Sequence, residues 1–313
     1  MKYFLVVNPS SANGQTGRRW TELHAKVARA LGHYEHRFTE APMDAARITR
    51  QALLEGYDCI VAVGGDGTIN EVVNGFFREP SEDAPGPAIN PQAALAVFPR
   101  GTGGDFRKTF GWDAELESGL ARLTGPRIQP LDVGVVRFTE HSGRPGWRHF
   151  ANICSFGVSG LVDQEVNRSS KALGGTLSFM MGSVRALLKY QDAPVRVAAD
   201  GGPSEEMTIT TVSVANGKYF GGGMKVAPDA DPSDGMFDVT VWSGYSIVDF
   251  ALKSRALYDG SHVNLPGTRR LRCRKLSAEP GGDRTVLLDV DGEQPGRLPC
   301  QVSMLPGAIR LKI

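Results

Sequence analysis

Hydrophobic and polar positions fall into two textures along the chain. Up to about residue 126, short β-branched runs alternate with stretches of helical spacing. Tyr3 to Val7 reads as a buried strand, followed by a polar loop from Asn8 to Gly14 and a helix from about Arg18 to Leu31. His36 to Thr39 ends a second strand, and Asp44 to Glu55 carries Ala45, Ile48, Ala52 and Leu53 on one helical face. Cys59 to Val63 and Ala93 to Phe98 are further strands. Between them Glu79 to Gln92 holds four prolines and neither period, so it reads as a surface linker. The alternation predicts an α/β domain over residues 1–126. From Arg127 the pattern changes to short strands with turn signals at Gly143 to Gly146, Gly201-Gly202, Asn216-Gly217, Asp234-Gly235 and Asp291-Gly292. This predicts a β-rich second domain over 127–305. Three segments interrupt it: Ser159 to Arg168, about Thr176 to Tyr190, and Ile247 to Leu257. In the second, Phe179, Met180, Val184, Leu187 and Leu188 line one side and Arg185 and Lys189 the other. Packing on the sheet is the better reading of that modest stripe, with a lipid-facing role the alternative.

Candidate chemistry sits where strands run into glycines. After Cys59 to Val63 come Gly64, Gly65, Asp66, Gly67 and Thr68, and then Ile69, Val72 and Val73 on one helical face. Missing Cβ atoms at a helix N-terminus leave backbone N–H groups open to an anion, so a phosphate site is the sharp reading and a plain strand-to-helix turn the bland one. A carboxylate beside a polyphosphate is repulsive, so Asp66 is expected to face Mg²⁺ or a network leading to it. A second strand-to-glycine junction, Pro99 to Phe110, contains Thr102, Gly103 and Asp105 and then Arg107 and Lys108. Two such turns at the carboxyl ends of strands in one sheet face the same crevice. Asp105 either faces an acceptor hydroxyl or metal, or caps the helix that follows; Arg107 and Lys108 are equally readable as solvated. Asp229, Asp231 and Asp234 put hard oxygen donors within six residues, which suits a cation site or an acidic turn. Asp291-Gly292 with Glu293 is, taken alone, a hairpin turn.

Composition narrows the class without deciding it. The 313 residues suffice for two ordinary cores, and a net charge of +1 leaves no bulk footprint for nucleic acid. The four cysteines, Cys59, Cys154, Cys273 and Cys300, form no paired spacing and read as reduced, buried thiols. The run of about five apolar residues before Asn8 and Pro9 is expected to be too short for the hydrophobic region of a signal peptide, and no stretch approaches the roughly 20 apolar residues of a membrane span. The expectation is a cytoplasmic protein, with peripheral contact at the inner membrane face left open.

Read in order, the Asn8-Pro9 loop, GGDGTINEVVNG, PRGTGGDF, Asp132-Val133-Gly134, the segment from Ala215 to Met224, that from Ala227 to Asp238, and LDVDGE from Leu288 to Glu293 resemble the diacylglycerol kinase catalytic-domain family. The resemblance spans nearly the whole chain and is strongest to the bacterial soluble lipid kinases, which are related to sphingosine and ceramide kinases. It implies an α/β nucleotide-binding domain joined to a β-sandwich-like domain, with the site between them and a last strand, within 306–313, returning to the first domain. It also implies ATP as phosphate donor, Mg²⁺, and a lipid acceptor met at a membrane surface. Carried residue by residue, Asn8, Thr39, Gly64, Gly65, Asp66, Gly67, Thr68, Asn70, Glu71 and Thr102 match the nucleotide site. Glu293 matches the general base, with Asp66 and Asp105 beside it. Asp234, with the carbonyls of Asp231 and Met236, matches a structural Mg²⁺ site. Where that family usually has asparagine before the second-loop aspartate, this chain has Gly104. An NAD kinase shares the GGDGT turn and the two-part plan, and a non-catalytic lipid-binding protein shares the fold.

Overall fold

The computed structural model describes residues 1–101, 103–162, 190–245 and 247–313. Thr102, residues 163–189 (which include the whole stripe around Phe179 and the later part of the 159–168 segment) and Ser246 lie outside the described residues. Strands β1 (Tyr3–Val7), β2 (Tyr34–Phe38), β3 (Cys59–Gly64) and β4 (Ala94–Pro99) are parallel and lie in the order β2-β1-β3-β4. β3 and β4 are buried along their whole length, which is why they read as unbroken apolar runs. Helices cover both faces. α3 (Asp44–Leu54) and α4 (Asp66–Gly75) pack Ile48, Leu53, Ile69 and Val73 against Phe4, Ile60 and Leu95. On the other face α2 (Trp20–Leu31) and α6 (Leu116–Thr124) pack Leu23, Val27 and Leu123 against Leu5, Val61 and Phe98. The helix expected from Arg18 to Leu31 is broken into α1 (Gln15–Arg18) and α2 at Arg19.

The sheet does not stop where the texture changes. β15 (Gly296–Lys312) runs antiparallel to β5 (Ile128–Glu140) along most of its length, and its far end pairs in parallel with β4 through Arg310 and Leu311. Beyond β15 the sheet continues through β13 (Lys275–Pro280) and β8 (Ala193–Ala199) to β9 (Glu205–Ile209), with β6 (Pro145–Phe150) paired to β5. A second sheet, in the order β12-β11-β10-β7-β14, is built from Thr268–Cys273, Phe237–Trp242, Thr211–Ala215, Ile153–Gly157 and Leu288–Val290. It packs face to face on the antiparallel part of the first sheet. Phe156, Val214, Phe237, Val239 and Leu288 meet Val136, Val195, Val197, Leu276 and Val302 in one core, the sandwich arrangement. All four cysteines are free and buried.

At the joint between the two parts, the register of β15 against β5 shifts between Leu305 and Ile309. The buried Asp132 carboxylate fixes that irregularity by accepting N–H bonds from Gly307 and Gly235, each at 2.6 Å. The turn read at Gly201-Gly202 forms the β8–β9 hairpin, with positive φ at Asp200 and Gly201, one residue earlier than the signal. Asn216-Gly217 is no hairpin. The Asn216 amide is fully buried and donates to the carbonyls of Asp132 and Ala151, tying β10 to the joint.

Candidate active site

The carboxyl ends of the four parallel strands form one edge, and the sequence-predicted residues of the first part gather there. Asn8 follows β1 and Thr39 follows β2, the latter donating its N–H to Val7 O at 2.9 Å. Gly64 and Gly65 end β3, and Arg100 and Gly101 end β4. The two loops touch through backbone: a Cβ on Gly101 would stand 2.7 Å from Gly65 Cα. A Cβ on Gly64 would meet the Thr68 hydroxyl at 2.3 Å, and that hydroxyl accepts a bond from Asn8 Nδ2 at 3.0 Å. Glycine is required at these positions for close approach, not for unusual dihedrals. No side chain of its N-cap residue Gly65 caps α4, whose first N–H groups are left unclaimed by the helix itself.

Asp66 departs from the expectation of an ion-facing carboxylate. Its Oδ2 accepts N–H bonds from Gly104 at 2.8 Å and Asp105 at 3.2 Å, and its Oδ1 accepts one from Phe106 at 3.1 Å. It therefore caps α5 (Asp105–Thr109) from the neighbouring loop. Asp105 does not cap its own helix. Its Oδ2 accepts the Gly222 N–H at 2.8 Å from the second part of the molecule, and its Oδ1 pairs with Lys108 Nζ at 3.1 Å. Burial first, and then the charge of Asp66, hold the Asp105 carboxyl above its ordinary pKa. Gly104 sits at φ +66 with the Arg107 side chain over it, 2.6 Å from where a Cβ would stand, so Arg107 fills the space of an asparagine side chain. Thr102 lies outside the described residues.

Glu293 arrives from the second part. Asp291 and Gly292 both take positive φ, and the bond from Glu293 N–H to Val290 O at 3.1 Å closes a tight turn of the mirror-image type. The turn presents Glu293 toward the first loop, its Oε1 lying 3.8 Å from where a Cβ on Gly67 would stand. Asp291 anchors the turn. Its carboxylate accepts N–H bonds from Ala151, Asn152 and Ile153 and one from Asn70 Nδ2, at 2.8 to 3.1 Å. Burial still pushes the Asp291 carboxyl above its ordinary pKa, against those donors.

Two residues expected at a nucleotide are structural instead. Asn70 is 1% exposed, and its amide group is spent on Asp291, the carbonyl of His149 and Arg148 Nε, because it lies one turn inside α4 at the seam with β6. Glu71 accepts the Ala45 N–H at 3.0 Å, supporting the start of α3. The acidic loop is likewise different. Asp234 is ion-paired with Arg272 through Oδ2 and takes the Met236 N–H on Oδ1, while Asp231 bonds Ser233. Asp229 pairs with Arg270 at 2.6 Å. Among the described residues no three His, Cys or carboxylate groups are grouped to hold an ion. Of the expected donor set, the Asp234 carboxylate is already neutralised by Arg272 and the Asp231 carboxylate is bonded to Ser233, so the one carboxylate expected to hold an ion does not stand ready for an added cation.

The sequence reading missed Arg148, His149, Asn74 and Asp291 as a polar seam between α4 and β6. Arg148 carries no motif; burial lowers its pKa while the charges of Glu293, Glu71 and Asp291 oppose that. Lys108, readable as solvated, is the cation on Asp105. The DG pair was the one available signal for Asp291.

Residues 2–136 match the diacylglycerol kinase catalytic domain, and residues 152–313 match the YegS C-terminal NAD kinase β-sandwich-like domain. The chain is 26% identical over 298 residues to a diacylglycerol kinase of Bacillus subtilis (strain 168), covering 94% of this chain and 90% of the relative. Its fold is similar to a crystal structure of a putative diacylglycerol kinase from Bacillus anthracis, with a TM-score of 0.77, 24% identity and coverage of 99% and 94%. It is similar more distantly to yeast NADH kinase complexed with NADH, with a TM-score of 0.52, 12% identity and coverage of 99% and 78%. With both halves matched in order and the fold shared end to end, the chain belongs to the diacylglycerol kinase catalytic-domain family of lipid kinases, and to its YegS-type branch by its second half.

Proposed function

We propose that the protein transfers the γ-phosphoryl group of ATP to a hydroxyl of a diacylglycerol-like or sphingoid-like lipid presented at a membrane surface. The observation that carries this reading is the meeting of the two glycine loops with Glu293 in one cleft. The uncapped amides at the start of α4 would hold phosphate oxygens, with Asn8, Thr39 and Thr68 along the same strand edge. Asp66 and Asp105 bring two carboxylates close enough for one to raise the pKa of the other, an excess of negative charge that Mg²⁺ carried in with the nucleotide would offset while neutralising the phosphates. Glu293, held by its turn, takes the proton from the attacking lipid hydroxyl. Asp105 holds Gly222 and so fixes the facing wall. Phosphoryl transfer asks for alignment and charge, with little covalent help from the protein.

Glu293→Gln removes the base and keeps the shape, so kcat on lipid should fall by about 10² to 10⁴ with the melting temperature unchanged. Undiminished turnover would take Glu293 out of the mechanism. Incubation with labelled Mg-ATP and mixed lipids, and separately with NAD, assigns the acceptor. Label on NAD instead of lipid would favour the NAD kinase reading that the NADH kinase fold likeness supports, and lipid binding with no transfer to either would favour a non-catalytic lipid-binding protein.

A further inference from the structure

Outside the cleft, the second part carries an apolar surface that its core does not use. Helix α7 (Ile247–Leu252) is anchored by Phe250, whose ring packs edge-on against Trp242 and Tyr245 with centroids 5.8 and 5.6 Å away. Val248 and Leu252 stand two residues to either side of Phe250, about 200° around the helix, and so point away from that core. They are 60% and 80% exposed. α8 (Ser254–Asp259) adds Tyr258, 55% exposed. A helix apolar on both faces at a protein surface is covered by something.

What covers it is indicated by the neighbours. Lys225 donates its N–H to Leu257 O at 2.8 Å, tying α8 to the loop from Phe220 to Lys225. The Tyr258 ring and Lys108 Nζ come within 3.8 and 2.9 Å of where a Cβ on Gly223 would stand, and the adjacent Gly222 N–H is the one held by Asp105. The Tyr258 end of this surface therefore adjoins the Gly222-Gly223 wall held by Asp105. Its charges are mixed but lean positive. Asp249 pairs with Lys253 at 3.1 Å and Asp105 with Lys108, leaving Lys225 and Arg255 against Asp259.

We propose that α7 and α8 dock on a phospholipid bilayer, with Val248 and Leu252 inserted among the headgroups and acyl chains, Tyr258 at the interface, and the cationic surplus toward anionic lipid. This rests on the lipid-kinase reading and deepens it: the docked face sets the cleft mouth at the bilayer, so the acceptor hydroxyl enters without leaving the interface. Apolar insertion supplies most of the affinity and charge a smaller share.

The test compares the full chain with Leu252→Glu, Val248→Glu and Leu252→Trp in sedimentation with vesicles of phosphatidylcholine, alone or mixed in equal parts with phosphatidylglycerol. Kinase activity is measured in parallel on vesicle-borne diacylglycerol and on a short-chain diacylglycerol kept monomeric. The Glu variants should bind vesicles about tenfold or more weakly and lose activity on vesicles, while keeping it on the monomeric lipid; Leu252→Trp should bind more tightly. Anionic lipid should strengthen binding a few-fold. Unchanged vesicle binding in all three variants, or Glu variants that instead dissociate a dimer in solution, would overturn the docking proposal. Absence of phosphorylation of both lipids by the unmodified chain would overturn the kinase reading instead, leaving the vesicle-binding result to stand alone.

Discussion

His149 shows how a single side chain records the seam between the two parts of the molecule. It is buried, its ring lies flat on Phe77 with centroids 3.9 Å apart, and its Nε2 has no hydrogen-bond partner among the described residues. Burial first, then the charges of Arg50 and Arg148, push its pKa down to about 4. A histidine depressed in the folded state contributes stability that is fully present above its ordinary value of 6.5 and lost as pH falls through about 4. His149→Phe keeps the stack and removes the titration. Urea unfolding from pH 7 down to 4 should cost the natural chain roughly 3 kcal/mol more than this variant. The carboxyls of Asp105 and Asp291 are shifted the opposite way, upward by burial, so their contribution is greatest at low pH and declines as pH rises; the comparison at fixed carboxylates isolates His149. None of this was legible in the sequence, because a lone histidine in GWRHF gives no sign of what will cover it. Asp66 was legible as a chemistry-bearing residue yet misread in its partner, since spacing along a chain does not tell which backbone amides another loop will offer.

Among elements, the strand-to-glycine junctions were the most readable. β3 and β4 carry full apolar runs, and their glycines admit one backbone to another, so identity and place were both set by local pattern. The closeness of the two loops predicts that Gly101→Ala, whose new methyl would face Gly65 Cα at 2.7 Å with no flexible side chain to yield, separates the loops. Lipid phosphorylation should drop at least about 10²-fold in kcat/KM, since misplacement by an ångström is enough to cost that much. Circular dichroism and the melting temperature check that the strands persist. Turn signals were less dependable. Asp291-Gly292 adopts the backbone its residues favour and the hairpin read at Gly201-Gly202 forms one residue earlier, at Asp200-Gly201, whereas Asn216-Gly217 is drawn into the joint because a buried amide there satisfies two carbonyls at once.

For the whole molecule, the two-texture reading gave the correct classes of architecture but implied a cleaner division than exists. β5 and β15 belong to both parts, and a seventeen-residue strand has no local signature of crossing a boundary. Because Leu311 is fully buried beside β4 while the same strand carries Val302 in the sandwich core, the parts should unfold together. Leu311→Ala is expected to lower stability by about 2 to 5 kcal/mol and to shift a single calorimetric transition without splitting it. Two separate transitions would mean that the shared strand does not couple them.

The Asp132 clamp has a bearing on how such an enzyme meets its substrate. Many kinases wrap around what they phosphorylate by swinging lobes about a pliant link. Here the irregular step of the shared strand nearest the first part, between Leu305 and Ile309, is tied through one buried carboxylate to Gly307 within it and to Gly235 in the second part, so the lobes are splinted. Selection then falls to what can be delivered into a mouth already formed, and water must be excluded by the arriving lipid instead of by a closing jaw.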